Sequence, residues 1–130
     1  VCAKFLKENV ACSTYEIDSC PEEMMILDVG VKTQNYIKDV IDKCKTLIWN
    51  GPLGAFEIKP FNRSTLGIAK HVANNTKKGK LKSVAGGGDT VSALKMASVE
   101  KDLSYISTAG GAFLEWLEGK KLPGIESLKK

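Results

Sequence analysis

Lys82-Ser83-Val84-Ala85-Gly86-Gly87-Gly88-Asp89-Thr90, followed by Ser92-Ala93-Leu94-Lys95-Met96-Ala97, reads as a strand, a glycine turn, an acidic residue, a hydroxyl and then a helix. Three consecutive glycines let the backbone approach a ligand closely and take dihedrals that a Cβ forbids. The helix that follows presents N–H groups to an anion. Gly86, Gly87 and Gly88 make the room, and Thr90 stands at the helix start. Asp89 narrows the reading, because a carboxylate beside a phosphate repels it unless a cation stands between them. The pattern therefore favours a Mg²⁺-bound polyphosphate over a bare phosphate. The same residues also allow a plain loop in which Asp89 or Thr90 merely caps the helix.

Upstream of this unit, Thr46-Leu47-Ile48-Trp49 is an apolar run stopped by Asn50-Gly51-Pro52. A run bounded in this way fits a parallel strand covered on both faces. Leu53-Gly54-Ala55-Phe56-Glu57 makes an extended loop, and Asn62 or Ser64-Thr65 can begin a helix through Asn75 with Leu66, Ala69, Val72 and Ala73 inward. Gly79 closes that helix, and the next strand covers 80–85. A helix is predicted over 90–97, a strand over 103–107, a second glycine turn at Thr108-Ala109-Gly110-Gly111 and a last helix over 112–117 ended by Glu118-Gly119. Ahead of the first strand, Thr33 can cap a helix over 34–44, where Ile37, Val40, Ile41 and Cys44 share one face. Strand and helix alternate, which predicts an α/β fold: a three-layer, mostly parallel sheet with helices on both faces, Rossmann-like but incomplete. Ligands bind beyond the carboxyl ends of such strands. Three loops would converge there, at 50–57, 86–90 and 108–111.

Residues 8–27 carry the weakest pattern. Residues 1–7 resemble the tail of an amphipathic helix, Val10-Ala11-Cys12 a short strand, and 18–23 a turn around Pro21. The apolar run Met24-Met25-Ile26-Leu27 leads into Asp28-Val29-Gly30. With no initiator Met, the chain is expected to start inside a larger protein.

At 130 residues the chain suits one modest domain. Its formal charge of +4 comes from 19 basic and 15 acidic side chains. The one dense basic run, Lys77-Lys78 with Lys80 and Lys82, has no aromatics interleaved, so a nucleic-acid surface is not expected. Cysteines 2, 12, 20 and 44 show no C-x-x-C spacing and share the chain with a single histidine. Free thiols in a reducing compartment are expected, and structural zinc is not. No apolar stretch is long enough to span a bilayer and no charged leader precedes one, so a soluble, intracellular protein is expected.

Trp49-Asn50-Gly51-Pro52-Leu53-Gly54-Ala55-Phe56-Glu57, Gly86-Gly87-Gly88-Asp89-Thr90, and Ser107-Thr108-Ala109-Gly110-Gly111-Ala112 with Leu117-Glu118-Gly119-Lys120 and Leu122-Pro123-Gly124 resemble phosphoglycerate kinase. Leu27-Asp28-Val29-Gly30, leading to Lys32-Thr33, is similar to another stretch of that family. The likeness runs from about residue 24 to the end. It implies a cytoplasmic, monomeric glycolytic parent with two doubly wound domains, which exchanges a phosphoryl group between 1,3-bisphosphoglycerate and Mg-ADP, or in reverse between 3-phosphoglycerate and Mg-ATP. Residues 1–130 would be a partial carboxyl-terminal, nucleotide-binding domain. The amino-terminal domain that takes 3-phosphoglycerate would be absent, and the fragment alone inactive.

The resemblance implies particular roles. Asn50 is expected near the nucleotide phosphates or ribose, and Glu57 to accept hydrogen bonds from the ribose hydroxyls. Asp89 is expected to hold Mg²⁺, with Gly86, Gly87, Gly88 and Thr90 around the ADP or ATP phosphates. Gly110 and Gly111 are expected to offer backbone N–H groups to the phosphoryl group in flight. Val31 and Ala109 depart from the family pattern, where proline and a third glycine are common. Two other readings stand beside this one. A dinucleotide-binding oxidoreductase domain lacks its G-x-G-x-x-G turn here, and a noncatalytic structural module would show an exposed apolar sheet edge or face.

Overall fold

The computed structural model describes residues 1–107, 109 and 111–128. Two short strands, β1 (Cys2–Ala3) and β2 (Met25–Ile26), pair antiparallel. Helix α1 (Val31–Lys43) leads to β3 (Thr46–Asn50), α2 (Arg63–Lys77) to β4 (Lys82–Gly86), and α3 (Gly88–Met96) with a 3₁₀ turn (Glu100–Asp102) to β5 (Tyr105–Ser107). Helices α4 (Gly111–Leu117) and α5 (Pro123–Glu126) follow. Strands β3, β4 and β5 form one parallel sheet in that spatial order.

Alternation along the strands sorts their side chains between two faces. Leu47, Trp49, Ala85 and Ile106 pack against Ile41 of α1, Ile68, Ala69, Val72 and Ala73 of α2, and Leu94 of α3. Ile48, Val84 and Tyr105 lie side by side in register on the other face. There Phe113 of α4 approaches Tyr105, ring centroids 6.2 Å apart. Helices flank both faces, as the alternation implied, but α4 covers the second only in part, and Ile48 and Tyr105 stay exposed there.

Local expectation and structure part in several places, some of them marked by long-range contacts. Residues 1–7 are not helical: Cys2 and Ala3 are buried in β1, Cys2 also bridges Ser13, and Phe5 and Leu6 are exposed. Val10 to Cys12 form no strand; the bridge at Ser13 is the pairing made there. Helix α1 starts at Val31 after Gly30, two residues before Thr33. Gly30 is needed because a Cβ there would meet the Thr14 methyl at 2.7 Å. Val40 is exposed, while Ile37 and Cys44 pack with Ile41 as their spacing suggested. The last ladder begins at Tyr105 rather than 103, because Ser83 and Ser104 exchange two backbone-to-hydroxyl bonds of 3.1 Å in its place. The third helix starts at Gly88, earlier than residue 90.

Asp28 ties these parts together. It is 4% exposed, its Oδ1 accepts the Val29 N–H at 2.8 Å and its Oδ2 accepts the Ser64 N–H at 3.2 Å. Asn62, at the helix-start position, makes no side-chain cap. Asp28 therefore caps α2 from 36 residues away, with its charge at the positive end of that helix. Ser64 Oγ returns a bond to Val29 O at 2.8 Å. A Cβ at Gly54 would stand 2.6 Å from Asp28 Oδ1, so the loop after β3 is pressed onto the same carboxylate.

Burial raises the Asp28 pKa above its ordinary value of 3.8, although the Ser64 and Val29 bonds pull it down. Between the ordinary and the raised value the folded chain holds more proton than the unfolded one, so stability falls as pH rises through that window. Denaturant unfolding should show this slope in the natural sequence, and its loss in Asp28→Asn. Asp28→Ala, which leaves two N–H groups without their acceptor, should cost about 1–3 kcal/mol.

Candidate functional site at the carboxyl rim

The register sets Asn50, Gly86 and Ser107 in one row at the carboxyl ends of the three strands. The chain leaves all three strands at this rim. Residues 50–57 and 86–90, predicted to converge, meet here, and in the loop after β5 the Ala109 N–H donates to Ser107 Oγ at 3.3 Å.

Trp49 shapes the first loop. Its buried indole donates Nε1–H to Gly51 O at 2.6 Å, and Gly51 takes a φ of +95°. Gly51 N–H then donates to Thr90 Oγ1 at 2.7 Å, joining the loop after β3 to the first turn of α3. Thr90 is 1% exposed, so its hydroxyl serves the scaffold by holding two loops in one place. Leu53 N–H donates to the buried Thr65 hydroxyl at 3.1 Å and Ala55 N–H to Leu27 O at 2.9 Å. These bonds fix the course of the loop as far as Phe56, which is buried. Asn50 and Glu57 are exposed at its two ends.

The second loop needs glycine at one position above all. Gly87 has a φ of +92°, and a Cβ there would stand 2.8 Å from Asn50 Oδ1. Asn50 and the glycine turn are therefore in contact. No side chain caps α3, and its first internal bond runs from Val91 N–H to Gly87 O. The N–H groups of Gly88, Asp89 and Thr90 precede that bond and point out of the helix start. Asp89 is exposed in this first turn. A short loop, an open helix start and an exposed carboxylate suit a polyphosphate and a hard cation together.

Of the remaining predicted residues, Gly111 begins α4 and is exposed, whereas Gly110 and Thr108 lie outside the described residues. Asp28, read only within a family-like stretch, and Thr65, read only as a possible helix start, were given no part at this rim, though both anchor the loop that carries Asn50 and Glu57. The sole signal was a carboxylate closing an apolar run at Leu27-Asp28. His71 is bound at 2.7 Å to Asp42, an interaction between α1 and α2 that leaves it no part at this rim. Among the described residues, no group of three or more His, Cys, Asp or Glu could hold a metal, and no helix is long and apolar enough to cross a membrane. All four cysteines are free thiols.

The parallel sheet flanked by helices, with its rim of loops at the carboxyl ends of the strands, defines an incomplete Rossmann-like α/β fold. Residues 1–120 match the family model described as phosphoglycerate kinase. The chain belongs to the phosphoglycerate kinase family. It is 59% identical over its full length to the phosphoglycerate kinase of Mesorhizobium japonicum, of which it covers 33%. Over 117 residues, 90% of the chain and 30% of the relative, it is 60% identical to the enzyme of that name from Brucella melitensis. The solved structure of phosphoglycerate kinase from Coxiella burnetii superposes with a TM-score of 0.87 at 41% identity, covering 96% of this chain and 31% of that one. The chain thus spans about a third of the length of the curated relatives it matches. The family match also takes in residues 1–23, which the resemblance read from the sequence had left out.

Two substitutions separate shape from space in the glycine turn. Gly87→Ala forces a side chain into a left-handed conformation and against Asn50, and thermal unfolding should show a loss of about 1–3 kcal/mol. Gly88→Ala meets no atom within 4 Å and should leave stability unchanged or raise it by about 0.4–1 kcal/mol.

Proposed function

We propose that this chain is the later part of the carboxyl-terminal, nucleotide-binding domain of a cytoplasmic phosphoglycerate kinase. Its parent, a monomer, transfers a phosphoryl group between 1,3-bisphosphoglycerate and Mg-ADP, and in reverse between 3-phosphoglycerate and Mg-ATP. The acid substrate belongs to an amino-terminal domain outside these residues, so the chain alone is catalytically incomplete. One observation carries the reading: the open start of α3, with Asp89 exposed in its first turn, lies beside Asn50 at the carboxyl rim of a parallel sheet.

In this reading the N–H groups of Gly88, Asp89 and Thr90 orient the nucleotide phosphates, and Gly88, where a Cβ would meet no atom within 4 Å, leaves room for them, while Gly86 and Gly87 hold the turn against Phe113 and Asn50. Asn50 fixes the phosphate or ribose end, and Glu57 accepts the ribose hydroxyls. Asp89 holds Mg²⁺, which when bound neutralises charge on the phosphate oxygens. A single carboxylate suits this cation, since Mg²⁺ is commonly held by one or two carboxylates together with substrate phosphates and water. Gly110 and Gly111 present N–H groups to the moving phosphoryl group. Positioning and fixed charge suffice for this chemistry, because the group in flight asks for little covalent help.

Calorimetry on the full-length protein tests the assignment. Asp89→Asn should weaken Mg-ADP binding at least about tenfold, equivalent to about 1.4 kcal/mol, and leave metal-free ADP binding unchanged or tighter. Equal Mg-ADP affinity in the two proteins contradicts the role given to Asp89.

A further inference from the structure

Cys2 and Cys20 stand apart from the rim just described. The Cys20 thiol donates to Cys2 Sγ at 3.2 Å, across 18 residues of sequence. Two sulfurs this close need to approach by only about 1.2 Å to reach the disulfide distance of about 2.05 Å. Cys2 is 3% exposed on β1, whereas Cys20 is half-buried on the segment that returns toward β2. A groove of about 870 Å³, walled in part by Tyr15, Ile17, Ile26 and Val29, opens on both cysteines. Nothing in the proposed nucleotide chemistry uses either thiol.

We propose that Cys2 and Cys20 form a dithiol site that a small-molecule disulfide of the glutathione type converts to an intramolecular disulfide. The Cys20 thiol, the more accessible of the two, loses its proton and attacks one sulfur of the oxidant. A mixed disulfide forms and one glutathione thiolate leaves. The Cys2 thiolate then attacks the Cys20 sulfur, the Cys2–Cys20 bond forms and the second glutathione thiolate leaves. Two protons from the protein thiols end on the two glutathione thiolates, and the oxidant takes up the two electrons. The hydrogen bond to Cys2 and burial push the Cys20 thiol above its usual range, which lowers its thiolate fraction and slows its attack on the oxidant.

The bond would fasten the 13–20 segment to β1. That segment already reaches the start of α1 through the Thr14 methyl against Gly30 and through Glu16 Oε1, 2.5 Å from Lys32 Nζ. Oxidation would therefore add a covalent tie to a covering layer that two Cys2–Ser13 backbone bonds and these side-chain contacts hold now.

The test treats the natively folded full-length protein with oxidised glutathione, then digests it without reduction using trypsin and a glutamate-specific protease. Cleavage after Glu16 separates Cys12 from Cys20, so the partner of Cys2 is unambiguous in mass spectrometry. The expected product is a peptide pair joining Cys2 to Cys20, about 2 Da lighter than the two thiol peptides together, formed equally well in Cys12→Ser and absent in Cys20→Ser. Cys2 joined to Cys12, separate glutathione adducts, or two unmodified thiols in the natural sequence would each overturn the proposal.

Discussion

Parallel strands joined by helices must each release the chain at the same edge of the sheet, because every crossover returns to the opposite edge before the next strand begins. In this chain that constraint aligns Asn50, Gly86 and Ser107 in a single row. No pairwise attraction among the loops is needed to bring them near one another. What the loops add is definition: the Gly51 N–H to Thr90 hydroxyl bond, the Trp49 indole on Gly51 O and the space at Gly87 filled by Asn50 Oδ1 convert proximity into fixed geometry. For the charged, flexible polyphosphate proposed at this rim such rigidity is a gain, since donors held in advance need no reorganisation when a ligand arrives.

Behind that row sits a second level of support, centred on the Asp28 carboxylate. Its burial is unfavourable for a charge, and the Val29 and Ser64 N–H bonds together with the start of α2 offset the cost. Through Gly54 and the Ala55 N–H to Leu27 O bond, the same corner sets the course of the loop that ends at Glu57. Gln34 adds to the bracing by filling the space where a Cβ at Gly67 would stand, with its amide directed at Ser64 O. Packing and polar chemistry are thus coupled from β2 and α1 through α2 to the rim.

The parallel sheet was legible because its signals are local. Thr46 to Trp49 is apolar and bounded by turn residues, Val84-Ala85 runs into glycine, and the intervening helices repeat their apolar residues at helical spacing. The rim followed from topology once the alternation was seen. Other features depend on partners distant in sequence and left little trace in any window. The expected helix at residues 1–7 lost to pairing of Cys2 and Ala3 with β2, and Thr33, expected as a cap, lies inside α1, which starts at Val31 after Gly30. Asp28 appeared only as a letter in a familiar run, because an acceptor that serves a helix 36 residues away has no local signature. Ser83 and Ser104 concealed their mutual bonds for the same reason.

In the proposed assignment a magnesium-bridged polyphosphate lies against the first turn of α3. Paramagnetic broadening of backbone amide signals by Mn²⁺-ADP, recorded on the isotopically labelled full-length protein, measures where the cation sits. The account predicts the strongest broadening at Gly88, Asp89 and Thr90, with Asn50 next. Broadening centred on the opposite end of the sheet, at Lys45, Leu81 or Leu103, would contradict it.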